Sequence, residues 1–198
     1  MRMRRKKFLE NRIDACSDLL LEMQCQGEHS LDPLDPSKFF DCSRVFGNNN
    51  PVHLEIGCGK GGFVLEAARR NPNINFIAIE KSSNVIVTGL ESLKESGLTN
   101  IRFVNGQAET LTHLFSKHEI ERIYLNFSCP YHKEAYAKKR LTYTRFLKIY
   151  KETLTEAGQI HIKTDNRRMF EFTLENLSDE GFFLREVSLD LHKSGFEE

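Results

Sequence analysis

The sequence predicts an α/β domain in which helices cover both faces of a mostly parallel, twisted sheet. Three observations support this fold class. The chain has 198 residues, of which 39% are hydrophobic and 28% are charged, so it can bury one sizeable core. Short apolar runs alternate with stretches of helical spacing, which is the order of β-α-β units. A glycine-rich turn follows the first of these apolar runs, and sheets of this kind often bind a ligand there.

The first 51 residues precede the predicted sheet. Their start is basic, because five Lys or Arg side chains lie within the first seven positions, at Arg2, Arg4, Arg5, Lys6 and Lys7. Apolar residues then recur at helical spacing from Phe8 to Met23 and predict an amphipathic helix that packs on the sheet. The segment 27–51 contains Asp-Pro twice and "GNNNP", which predicts an irregular linker. We therefore expect residues 1–51 to extend a single structural domain whose core is 52–198.

Strands and helices alternate through the rest of the chain. The predicted strands are 52–57, 75–80, 100–105, 122–127, 158–164 and 183–191. The predicted helices are 63–71, 84–97, 109–115, 143–154 and 169–181. Right-handed crossovers between such elements make neighbouring strands parallel, so their carboxyl ends meet at one edge of the sheet. We expect a ligand to bind at that edge.

The glycine turn "LEIGCGKGG" follows the first predicted strand. Gly57, Gly59 and Gly61 let the main chain turn sharply and let a cofactor approach backbone atoms. Gly57, Gly59 and Gly62 also fit the dinucleotide-binding pattern G-x-G-x-x-G. A dinucleotide site, however, places pyrophosphate on the helix N-terminus and does not use a carboxylate in the preceding strand. Glu55 stands at that position, which favours S-adenosylmethionine, because a carboxylate can hold the cationic methionyl end of this cofactor.

The next two predicted strands also end in polar residues. Glu80 closes the second strand, where its carboxylate can accept hydrogen bonds from both ribose hydroxyls of either cofactor. The third strand leads into "NGQAET", which offers Gln107, Ala108 and Glu109 as candidates beside the adenine ring. This second signal is weak, because loops between strands and helices are generally polar.

Charge indicates a polyanionic partner only through its distribution. Lys and Arg together number 28, as do Asp and Glu. Between His132 and Lys151, however, seven Lys or Arg residues face one acid, Glu134. Such a cluster fits nucleic acid, although a solvated helix surface is the alternative. There is no run of about 18 apolar residues and no apolar stretch after the basic start, so we expect a cytoplasmic protein without membrane spans.

Five cysteines, at positions 16, 25, 42, 58 and 129, are odd in number and widely spaced, with no C-x-x-C pair. This pattern predicts reduced, mostly structural thiols and no metal site. Cys129 lies in "NFSCPYHK", the loop after the fourth strand of the predicted core. Three interpretations of Cys129 stay open from the residues alone: a nucleophile, a buried spectator, or the replacement of another functional group.

Several stretches together closely resemble the bacterial tRNA (guanine-N7)-methyltransferases, from about residue 40 to residue 192 and in the basic first residues. They are "FGNNNPVHLEIGCGKG", "NPNINFIAIEKS", "IYLNFSCPYHKEAYAKKRLTY", "FLKIYKETL", "GQIHIKTDN" and "VSLDLH". The resemblance implies a Rossmann-like class I methyltransferase fold. It also implies transfer of a methyl group from S-adenosylmethionine, leaving S-adenosylhomocysteine, to N7 of guanosine-46 in the variable loop of tRNA.

The resemblance assigns roles to individual residues. The family's cofactor-binding positions correspond to Glu55, Glu80, Gln107 and Cys129, beside the three glycines of the turn. Its tRNA-contacting positions correspond to Lys133 and Asp165, with Thr164 and Asn166 completing the T-D-N text, and the run Lys138, Lys139 and Arg140 is expected on phosphates. Catalytic roles fall to Asp165 and to the position of Cys129. Asp165 can accept hydrogen bonds from the guanine N1–H and N2–H₂ edge, or it can cap the following helix.

Three departures from the family pattern bear on activity. Cys129 stands where the family has aspartate, and Gln107 stands where it has another aspartate. Family members also continue past the L-D-L-H text into a T-x-x-E motif and a final strand, so we expect an exposed edge near "FLREVSLDL". These departures predict weakened transfer. The alternatives are an inactive homologue that binds tRNA and cofactor, or a methyltransferase that uses Cys129 on cytosine C5 or acts on an amino group. The sequence leaves the choice between monomer and homodimer open.

Overall fold

A wholly parallel sheet of six strands forms the centre of the computed structural model, which describes residues 4–21 and 39–195. The strand order is β1-β4-β3-β2-β5-β6. The strands are β1 (Leu20–Leu21), β2 (Val52–Ile56), β3 (Asn75–Ile79), β4 (Ile101–Val104), β5 (Ile120–Asn126) and β6 (Leu154–Lys163). All of their carboxyl ends lie at the same edge of the sheet, as the sequence predicts.

Helices connect these strands. They are α1 (Leu9–Asp14), α2 (Cys42–Phe46), α3 (Gly62–Arg70), α4 (Ser83–Ser96), α5 (Leu111–Leu114), α6 (Thr144–Thr153) and α7 (Arg167–Asp179). Short 3₁₀ helices add the ranges Ser17–Leu19, Ala108–Thr110, Glu134–Lys139 and Leu191–Lys193. Within the described ranges, none of the helices has the length and apolar character that a bilayer span requires.

Hydrophobic side chains on both faces of the sheet hold the layers together. Every residue of β2 and of β3 is buried, which is the pattern of a strand covered on both sides. On β3, Phe76 and Ala78 pack in the cluster that includes α3 and α4. Ile77 and Ile79 point the other way, into the cluster that includes α5 and α6. The predicted fold class, a parallel sheet with helices on both faces, is therefore confirmed.

The N-terminal segment differs from its prediction. The expected helix from Phe8 onward ends at Asp14, and Leu20 and Leu21 instead pair with β4 as an edge strand. Helix α1 packs on α4 rather than on the sheet, through a bidentate contact of Arg12 with Glu91 (2.6 and 2.7 Å). A free strand edge overrode the helical spacing. Part of this prediction, including Met23, and the Arg2 end of the basic start lie outside the described residues.

The predicted irregular linker contains a short helix in its described part. Asp41 caps α2 by accepting a hydrogen bond from the backbone N–H of Arg44 (3.0 Å). Gly47 ends the helix in the left-handed region at φ 70°. Both are standard helix start and stop signals. The sequence therefore contains the signals for this helix, which the prediction of an irregular linker does not include. Residues 27–38 of the linker lie outside the described part of the chain.

The strand predicted at 183–191 is wrong. Residues 183–190 form no strand, and Phe183 and Leu189 are 95% and 85% exposed. A strand needs a neighbour that supplies hydrogen bonds and a face to pack on. This segment has neither, although its apolar residues have strand-like spacing. Among the described residues, the sheet has two open edges, the outer sides of β1 and of β6.

Candidate active site

The glycine turn between β2 and α3 forms the floor of the site. Gly57, Gly59 and Gly61 all have positive φ, at 77°, 60° and 79°. At Gly61 a side chain is also excluded by space, because a Cβ would lie 2.9 Å from Cζ of Phe103. The backbone N–H of Gly57 donates to the carbonyl of Ile79 (2.8 Å). The turn is therefore fixed against the end of β3, with main-chain atoms open to a ligand.

Glu80 lies directly beside this turn. Its Oε2 accepts a hydrogen bond from the backbone N–H of Gly59 (3.2 Å), and its Oε1 accepts one from the N–H of Ser82 (2.9 Å). Its carbonyl accepts hydrogen bonds from the Asn105 amide (2.8 Å) and from the N–H of Gly106 (3.2 Å). These contacts orient the carboxylate, and each oxygen keeps a lone pair for further donors.

Glu55 is a buried acid at the same edge. Only 3% of its surface is exposed, and its Oε1 accepts a hydrogen bond from the Asn126 amide (3.1 Å). Burial raises the pKa of Glu55 to about 7, with Asn126 and the backbone N–H of Val64 acting in the opposite direction. An acid with this pKa can be neutral in the free protein and ionised beside a cation.

Unpaired buried polar atoms at the carboxyl ends of β2 and β5 point to a ligand. Among the described residues, Glu55 Oε2, Asn126 Oδ1 and Ser128 Oγ have no hydrogen-bond partner at these strand ends, and Asn75 Oδ1, Arg122 Nε and Tyr150 Oη have none elsewhere in the fold. Buried polar atoms are nearly always paired in folded proteins, and an unpaired one costs about 1–3 kcal/mol. Two of the three atoms at these strand ends are acceptors, so they suit an ammonium group with several N–H donors. The residues present therefore fit the methionyl end of S-adenosylmethionine.

The loop after β5 has an unusual backbone. Phe127 and Tyr131 both have positive φ, at 49° and 42°, a conformation that is uncommon for bulky residues and often marks a functional site. The N–H of Phe127 donates to the carbonyl of Lys163 (2.8 Å), which joins this loop to the end of β6. Cys129, between the two strained residues, is exposed. It is thus available to a ligand rather than a buried spectator.

The loop after β6 lies beside the loop after β5, because Asn126 pairs in register with Lys163. Asn166 caps α7 by accepting a hydrogen bond from the N–H of Met169 (2.9 Å), and its own N–H donates to Thr164 Oγ1 (3.2 Å). The alternative in which Asp165 caps the helix is therefore wrong. The Asp165 carboxylate is exposed and, within the described residues, unpaired.

The loop after β4 offers less than the sequence suggested. Gln107 is exposed, whereas Ala108 is 3% exposed. Glu109 forms an ion pair with Arg145 (2.9 Å). Of the three residues considered for the adenine side, Gln107 is therefore the side chain with a free polar group at the surface.

The basic cluster between residues 132 and 151 does not form one continuous cationic face. Its more C-terminal members contact groups of the fold: Arg145 pairs with Glu109, Lys148 lies 3.9 Å from Glu180, and Lys151 donates to the Glu180 carbonyl. All members of the cluster except Arg140 are exposed, and Lys139 also lies over the Tyr136 ring at 4.7 Å. Among the described residues, Lys133, Lys138 and Lys139 are the members whose side chains contact neither a carboxylate nor a carbonyl, so they are the best placed to attract a polyanion.

Two residues near the site make contacts that the sequence analysis did not predict. Asn126 contacts Glu55, and its place at the end of β5 was the signal that could have revealed it. Arg140, expected on phosphates, is only 8% exposed, and its Nε and Nη2 donate to the carbonyls of Pro130 (2.9 Å) and Tyr131 (3.2 Å). Composition cannot distinguish such an internal arginine from a surface one.

Other features lie away from this edge. A cavity of about 600 Å³ opens beside the amino ends of β2 and β5 and is lined in part by Val52 and Glu121. It therefore lies at the end of the sheet opposite the candidate site. Cys16, Cys42 and Cys58 are free and buried, which agrees with structural thiols. The described residues contain no group of three His, Cys, Asp or Glu side chains arranged to hold a metal ion.

The chain is similar to several known proteins. A family model described as "Putative methyltransferase" matches residues 49–193. A tRNA (guanine-N(7)-)-methyltransferase of Bacillus velezensis is 44% identical over 195 residues, which cover 98% of this chain and 84% of that protein. Among solved structures, an antibiotic-related methyltransferase has TM-score 0.57 and 18% identity, covering 80% of each chain. A precorrin-6y C5,15-methyltransferase from Geobacter metallireducens has TM-score 0.55 and 18% identity, covering 90% of this chain and 77% of that one. At such identities these two structures bear on the fold alone.

Proposed function

Because the chain belongs to the family of tRNA (guanine-N7)-methyltransferases, we propose that it transfers a methyl group from S-adenosylmethionine to N7 of a variable-loop guanine in tRNA. The observation that carries this proposal is the set of unpaired buried atoms on Glu55, Asn126 and Ser128 beside the glycine turn. A tRNA substrate is consistent with a cytoplasmic protein.

Different residues of the chain would hold different parts of the cofactor. When bound, S-adenosylmethionine supplies a methyl group on a positively charged sulfur. Glu55 would accept hydrogen bonds from the ammonium of the methionyl end, and the oriented carboxylate of Glu80 would accept them from the ribose hydroxyls. Gln107, exposed at the end of β4, is the polar group on the adenine side. The turn at Gly57, Gly59 and Gly61 leaves main-chain atoms accessible.

The substrate residues lie on the two neighbouring loops. Guanine N7 carries a lone pair, so no residue has to remove a proton before it reacts. Catalysis then consists of holding two reactants in line. Asp165, exposed and unpaired within the described residues, accepts hydrogen bonds from the N1–H and N2–H₂ edge, which adenine lacks. Thr164 and Asn166 fix the loop that carries Asp165.

Phosphates of the tRNA meet the exposed lysines. Lys133, Lys138 and Lys139 are exposed members of the basic cluster without a carboxylate partner among the described residues, and lysine–phosphate contacts give salt-dependent affinity without reading sequence. Arg140 is less suited to this role, because it is buried and donates to two carbonyls of the fold. Cys129 offers a thiol where the family pattern has aspartate, which predicts slow transfer, since the carboxylate of that pattern does not face the purine as it becomes cationic.

Transfer of labelled methyl to tRNA tests the proposal. We expect the purified chain to label wild-type tRNA and to lose this activity on tRNA whose variable-loop guanine is replaced by adenine. Chemical cleavage at 7-methylguanine then maps the product. Labelling of cytosine that disappears in Cys129→Ser would favour the nucleophile instead. Cofactor binding without any transfer would favour an inactive tRNA-binding homologue.

Two variants separate the proposed roles. Asp165→Ala should abolish guanine methylation while cofactor affinity, measured by calorimetry, stays near that of the wild type. Glu80→Ala should first weaken cofactor binding, because it removes the acceptor held by Gly59 and Ser82. Arg70→Ala is the matched control, since it removes an exposed pair with Glu66 at the far end of α3. The reverse pattern would contradict the assignment of the two acids.

A further inference from the structure

Arg140 connects the loop after β5 with helix α7. Its guanidinium donates to the carbonyl oxygens of Pro130 and Tyr131 at 2.9 and 3.2 Å. Its central carbon lies 4.4 Å from the centre of the Phe172 ring, on α7. One nitrogen also lies 3.7 Å from the carboxylate of Glu134. The side chain therefore contacts both elements that flank the proposed reaction site.

The residues after Arg140 reinforce this connection. Thr142 is fully buried, and its hydroxyl forms a hydrogen bond with the hydroxyl of Thr173 on α7 (2.9 Å). Tyr143 stacks on the same Phe172 ring, with centroids 6.4 Å apart and planes 14° apart. We call residues 140–143 the clasp. It attaches the loop that carries Cys129 to the helix that follows Asp165.

The loop needs such an attachment. Phe127 and Tyr131 hold positive φ angles at its two ends, and strained residues of this kind cost about 1–3 kcal/mol each and persist only when their surroundings fix them. Carbonyl oxygens at Pro130 and Tyr131 lie within the strained segment. An arginine fork can hold both carbonyls at once and also stack on an aromatic ring, whereas lysine offers a single point of charge.

We propose that Arg140 is a positioning residue for methyl transfer, which holds the loop 128–131 against α7 so that the two halves of the site keep a fixed distance. This inference rests on the proposed function, because it assigns the reacting groups to these two loops. It differs from the phosphate contact that the sequence suggested for Arg140. A phosphate contact contributes to tRNA affinity, whereas a positioning residue contributes to the rate of the bound complex.

Kinetics separate the two roles. We expect Arg140→Ala to lower kcat by roughly 10- to 100-fold, in line with the effect of a misplacement of about 1 Å, with little change in the KM for tRNA. The slope of log affinity against log salt should stay that of the wild type. Lys138→Ala is the matched comparison, and it should lower this slope by roughly 1. A slope reduced in Arg140→Ala with kcat unchanged would overturn the inference.

Two further measurements exclude a merely structural effect. Guanidinium at millimolar concentration should restore part of the rate of Arg140→Ala and none of that of Lys138→Ala. Arg140→Lys keeps the charge and serves as the better-folded variant, and it should lower kcat too, because it loses the fork. Amide hydrogen exchange of the peptide 127–133 should accelerate in both Arg140 variants while exchange in β2 stays unchanged.

The exchange measurement also separates this inference from the proposed function. If the wild-type chain transfers no methyl group, the proposed function fails, yet faster exchange of 127–133 in the Arg140 variants still supports the attachment. If the wild type is active and the Arg140 variants match it in kcat and in exchange, the inference fails alone. Acceleration across the whole sheet would mean global destabilisation and would also overturn it.

Discussion

Replacing Glu55 by glutamine removes a carboxylate that the fold buries at the cofactor edge. The residue is 3% exposed, and its Oε2 has no partner within the described residues. Glutamine keeps the size and the hydrogen-bonding oxygen of the side chain but never ionises. The variant should therefore relieve a cost to the free protein at high pH and weaken the cofactor complex.

The magnitude follows from the pKa of Glu55, which burial raises from 4.5 to about 7. One pKa unit corresponds to about 1.4 kcal/mol. The folded state therefore binds more protons than the unfolded state between pH 4.5 and about 7. The stabilising contribution of the protonated carboxyl is complete below the unfolded pKa and is lost as pH rises through the folded pKa. Once that loss is complete, ionised Glu55 destabilises the cofactor-free fold by about 3 kcal/mol.

Urea unfolding of wild type and Glu55→Gln at two pH values measures this difference. The variant should exceed the wild type in free energy of unfolding by less than about 1 kcal/mol at pH 5 and by about 3 kcal/mol at pH 8.5. Comparing the two proteins at each pH cancels the contributions of all other titrating groups. Glu95→Gln, which replaces an exposed carboxylate on α4, is the matched control for the chemical change.

Cofactor binding should narrow the stability difference between the variant and the wild type at pH 8.5. A hydrogen bond to a charged group contributes about 1.5–3 kcal/mol, so Glu55→Gln should bind S-adenosylhomocysteine roughly 10- to 100-fold more weakly. Saturating cofactor should then stabilise the wild type at pH 8.5 more than it stabilises the variant. A stability difference that is the same at pH 5 and pH 8.5, or an unchanged affinity, would refute the assignment of Glu55 as a buried acid that ionises for the cofactor.

Other perturbations give independent tests. Cys129→Asp should raise the rate of methyl transfer to tRNA, because it restores a negative acceptor beside the reacting guanine; an unchanged rate in a single-turnover assay would contradict this. Lys138→Ala and Lys139→Ala should each lower the slope of log tRNA affinity against log salt by roughly 1, as filter binding at several salt concentrations would show. Gly61→Ala should destabilise the fold by about 2–3 kcal/mol in urea unfolding, since its positive φ and the nearby Phe103 ring both oppose a Cβ; a loss well below 1 kcal/mol would go against it.

Periodicity and turn residues predicted the central fold well because each strand of the core has a local signature. The apolar runs at β2 and β3 lie between glycine, proline or asparagine signals, so their sequence alone indicates buried strands. Pairing at the edges depends on what lies beside a segment. Leu20 and Leu21 join β4 although their spacing is helical, whereas residues 183–190 form no strand within the described part of the chain despite strand-like spacing.

The candidate site was predictable to the extent that its residues sit at strand ends. Parallel strands bring their carboxyl ends together, so the placement of Glu55, Glu80 and Asp165 at one edge of the sheet follows from the alternation of elements, whereas the role of Asp165 comes from the family resemblance. The contacts of each cationic side chain cannot be predicted from the sequence in this way. A charge count gives the number of lysines and arginines in a segment and not the groups that they contact. Arg140 appears as a candidate for phosphate binding in sequence and as a buried partner of two carbonyls in three dimensions.

The contrast between Glu55 and Cys129 bears on whether activity here trades against stability. Glu55 is buried, so its charge is costly without the cofactor. Cys129 is exposed, so an aspartate in its place would remain hydrated and should leave the free energy of unfolding within about 0.5 kcal/mol of the wild type. The Cys129 thiol therefore contributes little to the free energy of unfolding. A carboxylate at this position should raise the rate of transfer without the stability loss that Glu55 carries at high pH.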